Sequence, residues 1–388
     1  MDRIYFNNCL TSKPAPEVVK LTTEYMNNRF YFPENFNAMG TTTSEDLDNA
    51  KRVIANSIGA NSKEIHFTSG GTAANNLAIK GYLTANSNKG THIICSVIDY
   101  PDILTNAAFF ENSGFDVTYL EADNEGFIDL EQLKNSIRED TILFMTTIGN
   151  HTVGTIQPLK EIKEILDSAE QKIAIHVDAC EAYARIPIDV NELGIDLMSI
   201  SAHKIHGPQG IGALYQRKGI KLGLVQHGVN RMDNLQTGGL NIASIAGFAK
   251  AVELAFDEKE DNMSKIRKLS DYLLNKIETT IPDTLLNGPR GNKRAPHNIN
   301  ISFDYIEGEA IMMMMDISGI SISTGSACAS QGLKPNYVLM ALGRNHEQSH
   351  SSMKFTFSRY NTFQEIDYTV EKLAEVVKEL RSRSPLCN

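Results

Sequence analysis

The chain has 388 residues, 41% of them hydrophobic and 22% charged. That length suits two or three units at roughly 150 residues each, and the apolar share supports a large core and rules out a disordered chain. Asp and Glu number 47 against 37 Lys and Arg, a net charge of −10, which argues against a general binder of nucleic acid or of anionic membrane.

No apolar run approaches the roughly 20 residues that span a bilayer. Met1-Asp2-Arg3 runs straight into a strand-like Ile4-Tyr5-Phe6, so a cytoplasmic protein is expected. Five cysteines, Cys9, Cys95, Cys180, Cys328 and Cys387, lie far apart, and no pair has the spacing of a zinc or redox motif. Reduced and mostly buried thiols are expected, with one exception argued below.

Short β-rich runs then recur at 64–68, 92–95, 116–120, 141–145, 173–177 and 196–200, with helix-period stretches such as 74–83 and 159–168 between them. Strand and helix alternating over about 190 residues predict a mostly parallel sheet covered on both faces, with ligands beyond the carboxyl ends of its strands. Three of those ends carry candidate chemistry. The first strand runs into Thr68-Ser69-Gly70-Gly71-Thr72-Ala73, a turn that opens a helix and offers N–H groups and positive dipole to an anion such as phosphate. The strand 173–177 ends at Asp178, which could merely cap a turn or could hold a pyridine nitrogen protonated. The strand 196–200 ends in Ser201-Ala202-His203-Lys204, and a desolvated lysine is the residue type that forms Schiff bases with aldehydes. Lysine, phosphate cup and aspartate at three strand ends together suggest pyridoxal phosphate.

From Asp257 the composition changes. An amphipathic helix is predicted over 264–281, strands over 298–303 and 353–357, and a closing helix over 368–381, a smaller α/β unit whose boundary falls near 250–262. Between them, Ser323 to Gly332 holds only small or polar side chains and no readable period, which places Cys328 in an exposed loop suited to a nucleophile that must travel.

Ser-x-His-Lys, the Thr-Ser-Gly-x-Thr turn, His-Val-Asp and the Gly-Ser-Ala-Cys loop resemble, over nearly the whole chain, the cysteine desulfurases among the class V aminotransferases of fold-type I. The resemblance implies a large cofactor domain at 16–256 with a seven-stranded, mostly parallel sheet, a small C-terminal domain at 257–388 carrying the Cys328 loop, and an N-terminal segment at 1–15 packing with the small domain. It also implies a homodimer that removes sulfur from L-cysteine, leaving alanine and a persulfide on Cys328 for an acceptor or scaffold protein in iron–sulfur assembly or tRNA thiolation. In those terms Lys204 carries the cofactor and later moves the α-proton, and Asp178 pairs with the pyridine nitrogen. Gly71, Thr72, Ser201 and His203 would hold the phosphate, with Thr237 reaching it from the neighbouring subunit.

Five positions depart from the family pattern. Tyr100 stands for the ring-stacking histidine, His151 for an asparagine, and Glu181 for the glutamine that donates to the cofactor's phenolic oxygen. An ionised Glu181 would repel a phenolate, whereas a protonated one could donate. Lys354 replaces the arginine that grips the substrate carboxylate, with Arg359 as its understudy, and Gly239 replaces a threonine near Thr237. A pyridoxal-phosphate lyase or aminotransferase acting on another amine or sulfur compound is the alternative activity, and a cofactor-free interaction protein a third.

Overall fold

A computed structural model describes residues 3–228, 235, 237–325 and 334–387. Its first eight strands are β1 (Ile4–Tyr5), β2 (Ile65–Thr68), β3 (His92–Ser96), β4 (Asp116–Leu120), β5 (Thr141–Thr147), β6 (Ala174–Asp178), β7 (Leu197–Ser201) and β8 (Gly212–Gln216). Seven of them form one sheet in the order β2-β8-β7-β6-β5-β3-β4. Only β8 runs against its neighbours β2 and β7; the other pairs are parallel. The carboxyl ends of β2, β7, β6, β5 and β3 therefore share one edge.

β5, β6 and β7 are buried along their whole length, as near-continuous apolar runs must be when helices cover both faces. Phe144, Ile175, Val177, Met198 and Ile200 pack into one core with residues of the helices Pro16–Asn28, Ala38–Asn56, Leu159–Asp167 and Ile242–Asp257. Leu143, Met145, Ala174, Leu197 and Leu214 pack on the opposite face with the helices Gly71–Asn86 and Pro101–Glu111.

The remaining strands are β9 (Thr284–Asn287), β10 (Asn298–Phe303), β11 (Ile320–Ser321), β12 (Ser323–Thr324) and β13 (Ser352–Thr356). An antiparallel sheet ordered β12-β13-β10-β9 carries its own core with the helices Lys259–Thr280, Gly308–Ile317 and Phe363–Arg383. β1 pairs parallel with β11, and Phe6 meets the Phe357 ring edge-on at 5.2 Å. A few residues later the same N-terminal segment crosses to the large sheet, where Ser12 N–H donates to His203 O at 2.8 Å and Ala15 N–H to His206 O at 2.9 Å. Residues 4–15 thus tie the small unit to the turn that carries Lys204.

Three helices start earlier than their apolar period predicts. Gly70, at φ +147°, lets the chain turn from β2 straight into a helix at Gly71. Glu260 and Asp261 suit the positive start of the helix at Lys259. A reciprocal cap between Thr362 and Glu365 starts the last helix at Phe363. Among the described residues no helix is long and apolar enough to cross a membrane.

Thr362→Ala removes the hydroxyl that accepts from Glu365 N–H at 3.2 Å. It is expected to lower stability by about 1 kcal/mol in urea denaturation, and an unchanged midpoint would mean that packing alone holds this helix start.

Candidate active site

Lys204 ends a short 3-10 turn, Ala202–Lys204, that leaves the carboxyl end of β7, and its side chain is buried. Its Nζ lies 2.6 Å from Glu181 Oε1 and also donates to the Cys9 carbonyl. Glu181 Oε2 accepts from Arg185 Nη1 at 3.2 Å and sits 3.7 Å from His297 Nε2. Arg185 is buried too, and its Nη2 donates to Lys204 O at 2.6 Å and to Asn8 O at 3.2 Å. Burial alone would raise the Glu181 carboxyl, but Lys204, His297 and Arg185 outweigh it and hold the group well below the ordinary range. Burial would likewise lower the Lys204 amine, and Glu181 outweighs that and raises it. The contacts with Lys204, Arg185 and His297 favour the ionised form of Glu181 over a protonated one that donates.

Asp178 closes β6 as its last residue. Its Oδ2 accepts from Asn75 Nδ2 at 2.8 Å and its Oδ1 from Cys180 N–H at 2.9 Å. Burial raises its proton affinity, so a cationic N–H partner suits it. Beside it the helix Gly71–Asn86 begins without a side-chain cap, and Thr72 is exposed in its first turn. A Cβ on Gly71 would lie 2.5 Å from Cys180 Sγ, so only glycine lets this helix start approach β6 and β7 so closely. Ser201 Oγ and His203 Nδ1 are 2.8 Å apart at the neighbouring strand end. Burial and then Lys204 lower the His203 imidazole. An open helix start flanked by a hydroxyl and an imidazole fits a phosphate. With the buried carboxylate of Asp178 and the lysine, the residues present fit pyridoxal phosphate.

On the far side Tyr100 caps the helix Pro101–Glu111 through its backbone, and its N–H donates to Thr147 Oγ1 at 2.9 Å. The phenol lies within electrostatic reach of Lys204, Glu181 and Asp178. The His151 ring meets the Tyr100 ring edge-on at 5.0 Å. Burial drives the His151 imidazole down to about 3, with Lys354 adding to the shift, so it is neutral and offers no charged donor. Tyr337 donates its hydroxyl proton to Asp99 O at 2.7 Å, and its oxygen lies 3.2 Å from His151 Nε2. That assigns the His151 proton to Nε2 and leaves Nδ1, which has no partner among the described residues, as an acceptor.

Lys354 joins this group, donating from Nζ to His151 O at 3.2 Å. Arg359 does not: its Nη1 donates to Leu254 O at 2.9 Å and its guanidinium lies over the Tyr360 ring. Thr237 and Gly239 line a cavity of about 410 Å³ together with Thr68, Ser69 and Asn76, next to the open helix start. Cys328 lies outside the described residues. Arg185, Cys9, Asn75 and Tyr337 are additions that the sequence did not single out. Arg185 had one signal, its position four residues after Glu181; the contacts of Cys9 and Tyr337 bridge segments far apart in the chain and left none.

The aminotransferase class-V family model matches residues 4–369. The cysteine desulfurase IscS of Dictyoglomus turgidum is 42% identical over 382 residues, covering 98% of this chain and 96% of its own. That of Methanosarcina thermophila is also 42% identical, covering 99% and 94%. Among solved structures, a NifS-like protein has a TM-score of 0.92 at 28% identity, covering 97% of this chain and all of its own. A NifS-like protein from Rickettsia africae has a TM-score of 0.86 at 26% identity, covering 97% and 99%.

Because the folded Glu181 carboxyl is depressed, the stability it contributes is present above its ordinary value of 4.5 and is lost as pH falls toward the folded value. In urea denaturation below pH 4.5 the cofactor-free wild type is expected to lose stability more steeply than Glu181→Gln. Parallel losses would contradict an ionised, paired Glu181.

Proposed function

The chain belongs to the class-V aminotransferase family, and from that membership we propose that it is a pyridoxal-phosphate-dependent cysteine desulfurase. The observation that carries the reading is Lys204, buried at the carboxyl end of β7, beside the strand that ends in Asp178, in a chain similar over its full length to IscS proteins. Gly71, Thr72, Ser201 and His203 would hold the cofactor's phosphate, Asp178 its ring nitrogen and Tyr100 its ring face. Bound in this way, pyridoxal phosphate supplies an electron sink for charge released at the substrate's α-carbon.

The rest is work for this chain's own groups. Lys204 Nζ takes the proton from the α-carbon and returns one to the carbon that loses sulfur. Lys354 offers one ammonium to the substrate carboxylate, a point charge where an arginine would present a fork. The Cys328 thiolate attacks the substrate sulfur: the sulfur–sulfur bond forms as the carbon–sulfur bond breaks, and alanine leaves. No outside oxidant is needed, because L-cysteine and a thiol become alanine and a persulfide, which an acceptor or scaffold protein then takes up.

The chemistry needs a reduced thiol, which suits the cytoplasm, and the described cysteines Cys9, Cys95, Cys180 and Cys387 are all free. A homodimer is supported by the cavity lined by Thr237 and Gly239 at the open helix start, and by Phe30, Phe36 and Met39, large apolar side chains exposed nearby in sequence on one stretch. Two observations favour the second reading, a lyase or aminotransferase acting on a different amine or sulfur compound. The lysine is paired with an anion, and Lys354, which would meet the substrate carboxylate, donates instead to the His151 carbonyl.

Incubation with L-cysteine is expected to give alanine and one added sulfur on the Cys328 peptide. Alanine without sulfur on Cys328 would favour the second reading, and no alanine would refute the first. Light scattering is expected to show about twice the chain mass of 42.9 kDa; a stable species at the chain mass would refute the dimer.

A further inference from the structure

We propose that Glu181 is a positioning residue that stores a proton on Lys204 and thereby sets the pH at which the chain takes up its cofactor, an inference resting on the reading of Lys204 as the cofactor-bearing lysine. The geometry is that of a closed ion pair. Nζ and Oε1 are 2.6 Å apart, and both side chains are buried. Arg185 fixes the second carboxylate oxygen at 3.2 Å and holds the Lys204 carbonyl at 2.6 Å. Carboxylate and lysine turn are thus pinned to each other by a third buried group.

The neighbourhood offers Lys204 no comparable partner among the described residues. Cys9, through its carbonyl and its side chain, and Tyr100 face the amine alongside Glu181. Tyr5 and Cys180 lie within its electrostatic reach. His297 faces Glu181, and His151 and His203 stand nearby; burial lowers all three imidazoles. Glu181 is the carboxylate in contact with Nζ.

The consequence is chemical. Uptake joins Nζ to the aldehyde carbon of pyridoxal phosphate with loss of one water, and the nitrogen lone pair makes that bond. The ammonium must first release its proton to solvent, and an ionised carboxylate in contact opposes the release. Each unit by which the amine is raised costs about tenfold in its reactive fraction. A neutral amide of the same shape in place of Glu181 removes the opposition and leaves burial, which favours the free amine.

The test strips the cofactor from the full chain, adds pyridoxal phosphate back, and follows the visible absorbance of the bound form from about pH 7 to about pH 9. The wild-type rate is expected to rise about tenfold per pH unit. Glu181→Gln is expected to load at least about tenfold faster at neutral pH, the two rates converging as pH rises. A wild-type rate flat in pH overturns the proposal, as does a folded Glu181→Gln that loads at the wild-type rate throughout. Should that variant fail to fold, Glu181→Asp takes its place, because its shorter side chain lengthens the ion pair: it too is expected to load faster than wild type at neutral pH, and loading at the wild-type rate overturns the proposal. Lys204→Ala runs alongside: a borohydride-stable adduct on that variant would overturn the reading of Lys204 itself, a result distinct from either rate outcome.

Discussion

A buried ammonium, a buried carboxylate and a buried guanidinium meet at the carboxyl edge of the large sheet, and much of the site's geometry follows from keeping them together. Lys204, Glu181 and Arg185 come from two neighbouring strand ends and the turns that follow them. Taking such charges out of water costs several kcal/mol each unless partners replace the lost hydration. The fold supplies those partners from a distance in sequence. Asn8 and Cys9 lend backbone carbonyls to Arg185 and Lys204, and those residues are held in place by β1 on β11 and by Asn8 Nδ2 on Thr356 O at 2.8 Å. The small unit therefore helps to hold the lysine of the large one.

Several of the departures from the family pattern touch one another or a charged partner. An ionised Glu181 calls for a cation on each oxygen, and Lys204 and Arg185 provide them. On the other flank, Lys354 and Asn298 both donate to the His151 carbonyl, at 3.2 and 3.3 Å, while Tyr337 and Tyr100 enclose the ring. Two small networks thus replace what neutral amides would do, one anionic and one an acceptor. Both belong to the group of side chains that the proposed reading sets around the cofactor's ring.

Much of this was legible in the sequence, for physical reasons that differ by element. The inner strands could be read because a sheet buried on both faces demands continuous apolar runs, and β5, β6 and β7 overlap the predicted 141–145, 173–177 and 196–200. The strand ends could be read because Asp178 and Lys204 are polar residues directly after such runs. Helix starts were set instead by caps and end charges, at Thr362 and at Glu260 with Asp261, which apolar periodicity does not see. β9 and β12 are too short and too half-buried to leave a pattern. Glu181 was visible as an unusual residue, but its charge state was not, because that depends on Arg185 and on residues 8 and 9, brought together only by the fold.

The central claim is that the lysine ending the turn after β7 carries pyridoxal phosphate. Borohydride reduction of the wild-type protein with its cofactor, followed by peptide mapping, tests it most directly. The account predicts a reduced cofactor attached to the peptide containing Lys204 and to no other. Attachment at Lys354 or elsewhere, or no attachment at all, would contradict it.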